Sequence, residues 1–168
     1  GTAFDPADIG LTAIPKFDRW TVNPRMFFYL GTDTKMDLGV SYITEDRLGG
    51  NTDFIKGIDV QNPYFEKNLT DRFSTQFNFS HRFSKNAQLR IKNSISNFER
   101  QIEIPDYGFS GQQLSTFSEV NLITFSDRSE WVWGINLWSD QFEHREARAG
   151  SDLSFSNVTV GLFAQNTF

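Results

Sequence analysis

The sequence predicts an all-β protein, an antiparallel up-and-down meander of about seven strands that form part of a larger transmembrane β-barrel. Three observations lead to this prediction: polar and apolar residues alternate along most of the chain, the alternating runs are long, and the connections between them differ systematically in length. The 168 residues include 18 Phe, yet the mean hydropathy is −0.44. So many aromatic side chains in so polar a chain have to lie on surfaces that exclude water.

The clearest strand is predicted at residues 72–83. Because successive side chains of a strand point to opposite faces, this segment has one aromatic face and one polar face. A half-buried strand of a soluble sheet and a lipid-facing strand of a membrane barrel both produce this alternation. The aromatic face carries Phe73, Phe77, Phe79 and Phe83 with Thr75 and His81, and the polar face carries Arg72, Ser74, Gln76, Asn78, Ser80 and Arg82.

Six further segments alternate in the same way, although 114–126 is less regular because Ile123 and Phe125 break its pattern. Most of the segments exceed the roughly 5–6 residues of a common strand, whereas a membrane strand needs about 9–11 for the hydrocarbon alone. Residues 1–14 are predicted to be a loop, and no helix is predicted. The six segments are residues 19–30, 35–47, 87–100, 114–126, 130–143 and 157–168.

The predicted connections fall into two classes. Residues 31–34, 84–86 and 126–129 are short and contain the Gly, Asn, Asp and Ser typical of hairpin turns. The other three, at 48–69, 102–112 and 144–156, are predicted to be long loops. Short turns on one rim and long loops on the other are typical of outer-membrane barrels.

Two alternatives remain open at this stage: a small self-contained outer-membrane barrel with a passive or adhesive role, and a soluble β-barrel that binds a small ligand. In the soluble case the apolar faces would point inward. In a membrane barrel the polar faces point inward, and Gly39, Gly134 and Gly161 lie on them, where they relieve crowding. Seven strands is an odd number, while bacterial single-chain barrels close with an even one. We therefore expect residues 1–168 to be a fragment of a single barrel domain.

Composition and motifs argue against several classes of function. The net charge of −5 disfavours nucleic acid as a partner, and the absence of cysteine removes disulfides and thiolate metal sites. No serine-nucleophile or zinc-protease motif is present, and His81 and His144 lie far apart. We expect a protein that is not an enzyme and that needs no cofactor or metal.

Recognition of a ligand is predicted on the long loop between residues 46 and 67. Aromatic and charged groups on a loop held by a rigid scaffold are where binding commonly occurs. Tyr107 and Phe109, on the next predicted loop, are weaker candidates. The ligand-contact candidates are Arg47, Asn51, Asp53, Lys56, Tyr64 and Phe65.

Several motifs resemble the barrel of TonB-dependent outer-membrane receptors of Bacteroidetes type. They are Ile14-Pro15-Lys16-Phe17, Asn23-Pro24-Arg25-Met26-Phe27-Phe28-Tyr29, Glu45-Asp46-Arg47-Leu48-Gly49-Gly50-Asn51, Gln101-Ile102-Glu103-Ile104-Pro105-Asp106-Tyr107, and the closing stretch from Val160 to Phe168. Each motif is moderately specific, and their order carries the resemblance.

The resemblance implies a barrel of about 22 strands in the bacterial outer membrane, with a plug domain inside it. It also implies the import of a scarce nutrient (an iron chelate, haem, cobalamin or a glycan), energised by a TonB complex. The implied partners are outer-membrane lipid, the plug and TonB complex through the parent chain, and a surface lipoprotein where one exists. No plug is recognisable in these 168 residues, so transport is expected of the parent protein.

Overall fold

The fold is a single antiparallel sheet, seen in a computed structural model that describes residues 2–147 and 152–168. The all-β, up-and-down meander is confirmed, with eight strands. One short helix is also present, and within the described residues no helix has the length and apolar character to cross a membrane. The elements are β1 Lys16–Val22, β2 Arg25–Leu30, β3 Thr34–Gly50, α1 Thr52–Ile55, β4 Phe65–Ser84, β5 Ala87–Ile104, β6 Tyr107–Phe125, β7 Glu130–Ala147 and β8 Phe155–Thr167.

The predicted first strand, residues 19–30, is divided into β1 and β2, and both pair with β3. The register is the same on either side of the break, since Val22 lies opposite Tyr42 and Arg25 lies opposite Gly39. Pro24 causes the interruption. Its carbonyl accepts a hydrogen bond from the Val40 N–H at 3.0 Å, but proline has no N–H to return. The first two strands therefore act as one interrupted edge strand.

The short connections are confirmed, and the long ones are only partly so. Strands end and restart around 31–33, 85–86 and 126–129. These strand ends lie along one side of the sheet, which we call the turn-side rim. The opposite ends of the strands form the loop-side rim, where a loop of residues 51–64 joins β3 to β4. The prediction of a long loop at 102–112 is wrong, because β5 and β6 continue to a tight turn at 105–106. Part of the predicted 144–156 loop lies outside the described residues.

The sheet has one apolar and one polar face across its whole width, as the register of paired residues shows. One row of directly paired residues is wholly apolar. The adjacent row, on the opposite face, is largely polar. The apolar row is Phe28, Met36, Phe79, Ile91, Val120, Ile135 and Leu162. The opposite row is Phe27, Asp37, Asn78, Lys92, Glu119, Asn136 and Gly161.

The apolar face, defined by the residues that share a side with the first of these rows, changes character along the strands. Near the turn-side rim it is mostly apolar, as at Leu89, Ile91 and Ile95 in β5, and Asn93 between them donates a hydrogen bond to Ser118 of β6. Toward the loop-side rim the same strand places Glu99 and Gln101 on that side, opposite Asp71 and Leu69 of β4. The apolar part is thus a band that occupies the turn-side half of the sheet.

This apolar band is not covered by another layer. Within the described residues Ile123 is the only buried apolar side chain, at 1% exposed, whereas Val160 and Leu162 of the band are 63% and 79% exposed. The accessible surface is 11670 Å², and a compact monomer of this mass would expose about 8,500 Å². The chain therefore forms a single-layer sheet without a hydrophobic core of its own.

The two outer edges of the sheet do not meet. The strand order runs from β1 and β2 at one edge to β8 at the other, and the described residues contain no pairing between these edges. Every residue of β1 and β2 is exposed, and most of β8 is exposed too. The backbone groups on the outer sides of these strands have no ladder partner in the sheet.

Candidate functional site at the loop-side rim

The loop between β3 and β4 is a structured turn that is anchored at both ends. Asn51 caps α1, because its side-chain oxygen accepts hydrogen bonds from the N–H groups of Asp53 and Phe54, both at 3.0 Å. Its own N–H donates to the Tyr64 carbonyl at 2.8 Å. Asn51 therefore closes the loop across its base as well as starting the helix.

Gly50 makes this closure sterically possible. Its φ of +117° is a conformation that other residues rarely adopt. A Cβ at this position would lie 2.7 Å from the Cα of Phe65. The Phe65 ring stacks on Phe54 with centroids 5.1 Å apart, so the loop folds back onto the start of β4.

The N-terminal segment packs against the same rim. The N–H of Thr12 donates to the Gly50 carbonyl, and the Thr12 hydroxyl accepts from the Gly50 N–H, both at 2.9 Å. The Thr52 N–H donates to the Gly10 carbonyl. Residues 2–14 are a loop, as predicted, and they form a second wall beside α1.

The six predicted ligand-contact residues do not converge on one site. Asn51 and Phe65 are occupied in shaping the loop, and Tyr64 is an exposed residue whose carbonyl accepts from Asn51. Asp53 and Lys56 form an exposed ion pair at 3.6 Å, which contributes little to stability. Arg47 belongs to β3, on the polar face of the sheet. Their role as ligand contacts stays a prediction.

Arg47 instead joins a cluster of charges on the polar face. Glu45 accepts from Arg47 at 2.9 Å and also pairs with Arg19 of β1. The Arg47 Nε is buried and has no hydrogen-bond partner within the described part of the chain. A buried donor of this kind favours an acceptor supplied by something that packs on this face.

Similar networks continue across the polar face. The Asp37 carboxylate accepts from Arg25 Nε at 3.0 Å and from Asn78 at 2.9 Å. Lys92 pairs with Glu119 at 3.0 Å across β5 and β6. These bonds tie neighbouring strands together on the polar face of the sheet.

A cluster of rings interrupts this polar face near the loop-side rim. Phe142 stacks on Phe109 at 6.2 Å and on Phe155 at 5.7 Å, and the His144 ring lies 5.3 Å from Phe109. Gly111 leaves room for the Phe142 ring, because a Cβ at position 111 would lie 2.6 Å from that ring. The sequence analysis missed this cluster, although the alternation along β7 puts Phe142 and His144 on the otherwise polar side.

Next to the cluster, the end of the β7–β8 connection is held by local hydrogen bonds. The Ser154 hydroxyl accepts from the His144 N–H at 2.9 Å and donates to Asp152 at 2.6 Å. The Ser154 N–H also donates to the Asp152 carboxylate, at 2.9 Å. The two bonds that Asp152 accepts from Ser154 hold the pKa of the Asp152 carboxyl below its usual range. Among the described residues no three His, Cys, Asp or Glu side chains are grouped so that they could hold a metal.

No protein-family model matches this chain, and neither a curated protein nor a solved structure matches it. The geometry of the sheet and the motifs in its sequence are therefore the basis for any assignment of function.

Proposed function

We propose that the chain is a segment of the transmembrane β-barrel of an outer-membrane TonB-dependent receptor that imports a scarce nutrient. The observation that carries the membrane part of this proposal is the uncovered apolar band. Exposed apolar patches beyond a few hundred Å² are rare on soluble monomers. Here the band runs unbroken across every strand at one height, as lipid requires.

The polar face supports a wet or plugged interior. It carries ion pairs such as Lys92–Glu119 and Arg25–Asp37, which need water or polar partners around them. A soluble barrel would place its apolar side chains inside, and the described residues provide no second layer for them. The two unpaired edges support a larger barrel, because open edges are not tolerated in hydrocarbon.

The receptor part of the proposal depends on the resemblance of the motifs at residues 14–17, 23–29, 45–51, 101–107 and 160–168. It includes about 22 strands, a plug domain and coupling to a TonB complex in the parent protein. The transported class is one of iron chelates, haem, cobalamin or glycans. The proposal gives the chain no catalytic role.

The membrane part is tested by spin labels at single cysteines; residues 1–168 contain no cysteine, and any cysteine elsewhere in the parent chain is first replaced by serine. Ile135→Cys and Leu137→Cys lie on the apolar face of β7, and Asn136→Cys between them lies on the polar face. In the complete protein in lipid vesicles, labels at 135 and 137 should collide with oxygen more than with a water-soluble nickel complex. The label at 136 should show the opposite ratio. Equal ratios at all three sites would refute the membrane assignment.

The transport part is tested by uptake in the native bacterium. Loss of the gene should reduce growth when an iron chelate, haem, cobalamin or a glycan is the limiting nutrient, and the uptake should stop when a protonophore collapses the inner-membrane potential. Uptake that persists with the protonophore would favour the passive small barrel. A result of that kind would leave the membrane part of the proposal intact.

A further inference from the structure

We infer that the polar face carries an oxyanion-binding site centred on Ser80, in addition to any site for the transported nutrient. The site is made by Ser80, Lys35, Arg82 and Arg90, which we call the Ser80 cluster. It depends only on the register of β2 to β5. It is therefore independent of the solvent on the apolar face and of the proposed receptor function.

The register surrounds Ser80 with cations. Lys35 of β3 and Arg90 of β5 are its direct partners in the two neighbouring strands. Arg82 is the next residue on the same face of β4. Because neighbouring strands lie about 4.8 Å apart, the Cα atoms of Lys35 and Arg90 are about 10 Å from each other. Both side chains are long enough to reach a group bound above the Ser80 hydroxyl.

These cations have no acidic partner within the described residues. Lys35, Arg82 and Arg90 are exposed, and their side chains form no ion pair or hydrogen bond there. Two carboxylates on this face already have partners: Asp37 accepts from Arg25 and Asn78, and Glu119 accepts from Lys92 and Asn121. Asp33 lies in the turn beside Arg82, whose backbone N–H donates to the Asp33 carbonyl, and the Asp33 carboxylate accepts from the Thr32 hydroxyl. The cluster is thus a local excess of positive charge in a chain whose net charge is −5.

Like charges at this spacing repel each other, although water and salt weaken the repulsion between exposed side chains. Arg82 pairs with Gln88, so Arg82 and Arg90 are diagonal neighbours across β4 and β5, a distance of about 7–8 Å. An oxyanion would relieve this repulsion and would accept charge-assisted hydrogen bonds from both guanidinium groups. The Ser80 hydroxyl, which makes no hydrogen bond in the described part of the chain, could donate a further one.

The surface at the cluster is concave. A depression of about 250 Å³ is lined by Lys35, Ser80 and Arg90 together with Asp37, Asn78 and Lys92 of the next row, and Phe27 and Tyr29 bound it on one side. The Asp37 carboxylate in this lining is paired with Arg25. Tyr29 lies directly opposite Lys35, so its ring forms the wall at the edge of the sheet. The site therefore suits a phosphate or carboxylate group attached to a flat or apolar remainder.

The inference is tested by calorimetric titration of the complete natural protein in detergent with pyrophosphate and with citrate. Each should bind saturably and more weakly as salt is added, and the tighter of the two identifies the phosphate or carboxylate class. Arg90→Gln and Lys35→Gln should each weaken binding about tenfold, which corresponds to about 1.4 kcal/mol. Arg82→Gln, next to an exposed turn, provides a third variant whose folding is least at risk.

Lys56→Gln is the matched control, because it removes one exposed positive charge at the opposite rim. It should leave binding unchanged. The inference is overturned if neither anion binds saturably, if the cluster variants bind as the native protein does, or if Lys56→Gln weakens binding as much as Arg90→Gln. The circular-dichroism spectrum of each variant, compared with that of the native protein, shows that the protein has folded.

Discussion

Gly134 shows how single residues set the packing of the polar face. The ring of Phe163 in β8 lies over Gly134 of β7, where a Cβ would overlap the ring and would lie 2.5 Å from the Asn121 side-chain oxygen. Gly161 accommodates Asn136 of the neighbouring strand in the same way. The expectation that these glycines relieve crowding is thus confirmed at 134 and 161. At Gly39 the nearest atom, the Gln76 Cβ, is at an ordinary 3.7 Å.

The first prediction compares Gly134→Ala with Gly39→Ala. Overpacking at 134 should destabilise the protein by about 1–3 kcal/mol. At 39 the new methyl group has room, and an alanine in a strand costs less backbone entropy than a glycine, so the change should be close to neutral. The thermal midpoint in detergent measures both. Equal midpoints for the two variants would contradict the account of crowding at 134.

Asn51 is the candidate residue whose structural role is clearest, and the second prediction separates that role from ligand contact. Asn51→Ala removes the cap of α1 and should destabilise the 51–64 loop by about 1 kcal/mol, seen as faster proteolysis there. Asn51→Asp keeps a capping oxygen and should protect the loop as well as the native residue does. If Asn51→Asp protects the loop but abolishes nutrient uptake, the side chain also contacts the ligand.

Two of the central strands, β5 and β7, combine an apolar half and a polar half on one face. In β5 the transition falls between Ile95 and Glu99, and in β7 it falls between Leu137 and Gln141. A strand in a soluble sheet has no reason to change at a constant height. A strand that leaves a bilayer does, because the solvent changes from lipid to polar headgroups and water.

The third prediction compares an arginine in the apolar half of one face of β5 with an arginine in the polar half of the same face. Ile91→Arg should destabilise the barrel in lipid vesicles by about 2–4 kcal/mol, and Gln101→Arg by about 0–1 kcal/mol. Both positions point to the same side of the sheet. The folded fraction, from heat-modifiable mobility after refolding into vesicles, measures each. Equal small losses would mean that Ile91 faces water.

The strands could be predicted from the sequence because alternation is a local property. Residues 72–83 alternate without help from other segments, and the structure keeps every one of them in β4. The positions where strands end are harder to predict, because they depend on how far the neighbouring strand continues the ladder. Residues 102–112 look like a loop because of Pro105 and Asp106, yet Ile102 and Ile104 alternate with Gln101 and Glu103 and continue the ladder to Phe109 and Tyr107.

The roles of the ligand-contact candidates were also harder to predict, because they depend on contacts with residues distant in the sequence. The sequence of the 46–67 segment shows which side chains could bind, but not that Asn51 caps a helix or that Arg47 lies in a strand. Those roles depend on hydrogen bonds to Tyr64 and on the register with β1. The Ser80 cluster has a non-local origin too, because its members come from three strands and meet only through their register.

At the scale of the whole molecule, the sheet is stabilised by its ladders and by pairs across neighbouring strands, and not by a core. Within the described residues, the extensive contacts between elements join strands that are adjacent in the sheet, apart from those of α1 with β3. Such a sheet needs a solvent for its apolar band and partners for its edges. In the proposed function lipid would supply the first and further strands of the parent barrel would supply the second, which is why the membrane assignment and the larger barrel belong to one proposal.

The last prediction concerns the edge strand β8. In an antiparallel edge strand, alternate N–H groups point toward the one neighbour and the others point away from it. If β8 is an edge, alternate amides between Phe155 and Thr167 should exchange quickly with deuterium. If a further strand of the parent barrel pairs with it, as we propose, consecutive amides should all be protected in the complete protein in detergent. The amides of β5, paired on both sides by β4 and β6, give the reference for full protection. Alternating exchange along β8 in the complete protein would show that the sheet ends there and would remove the larger barrel from the proposal.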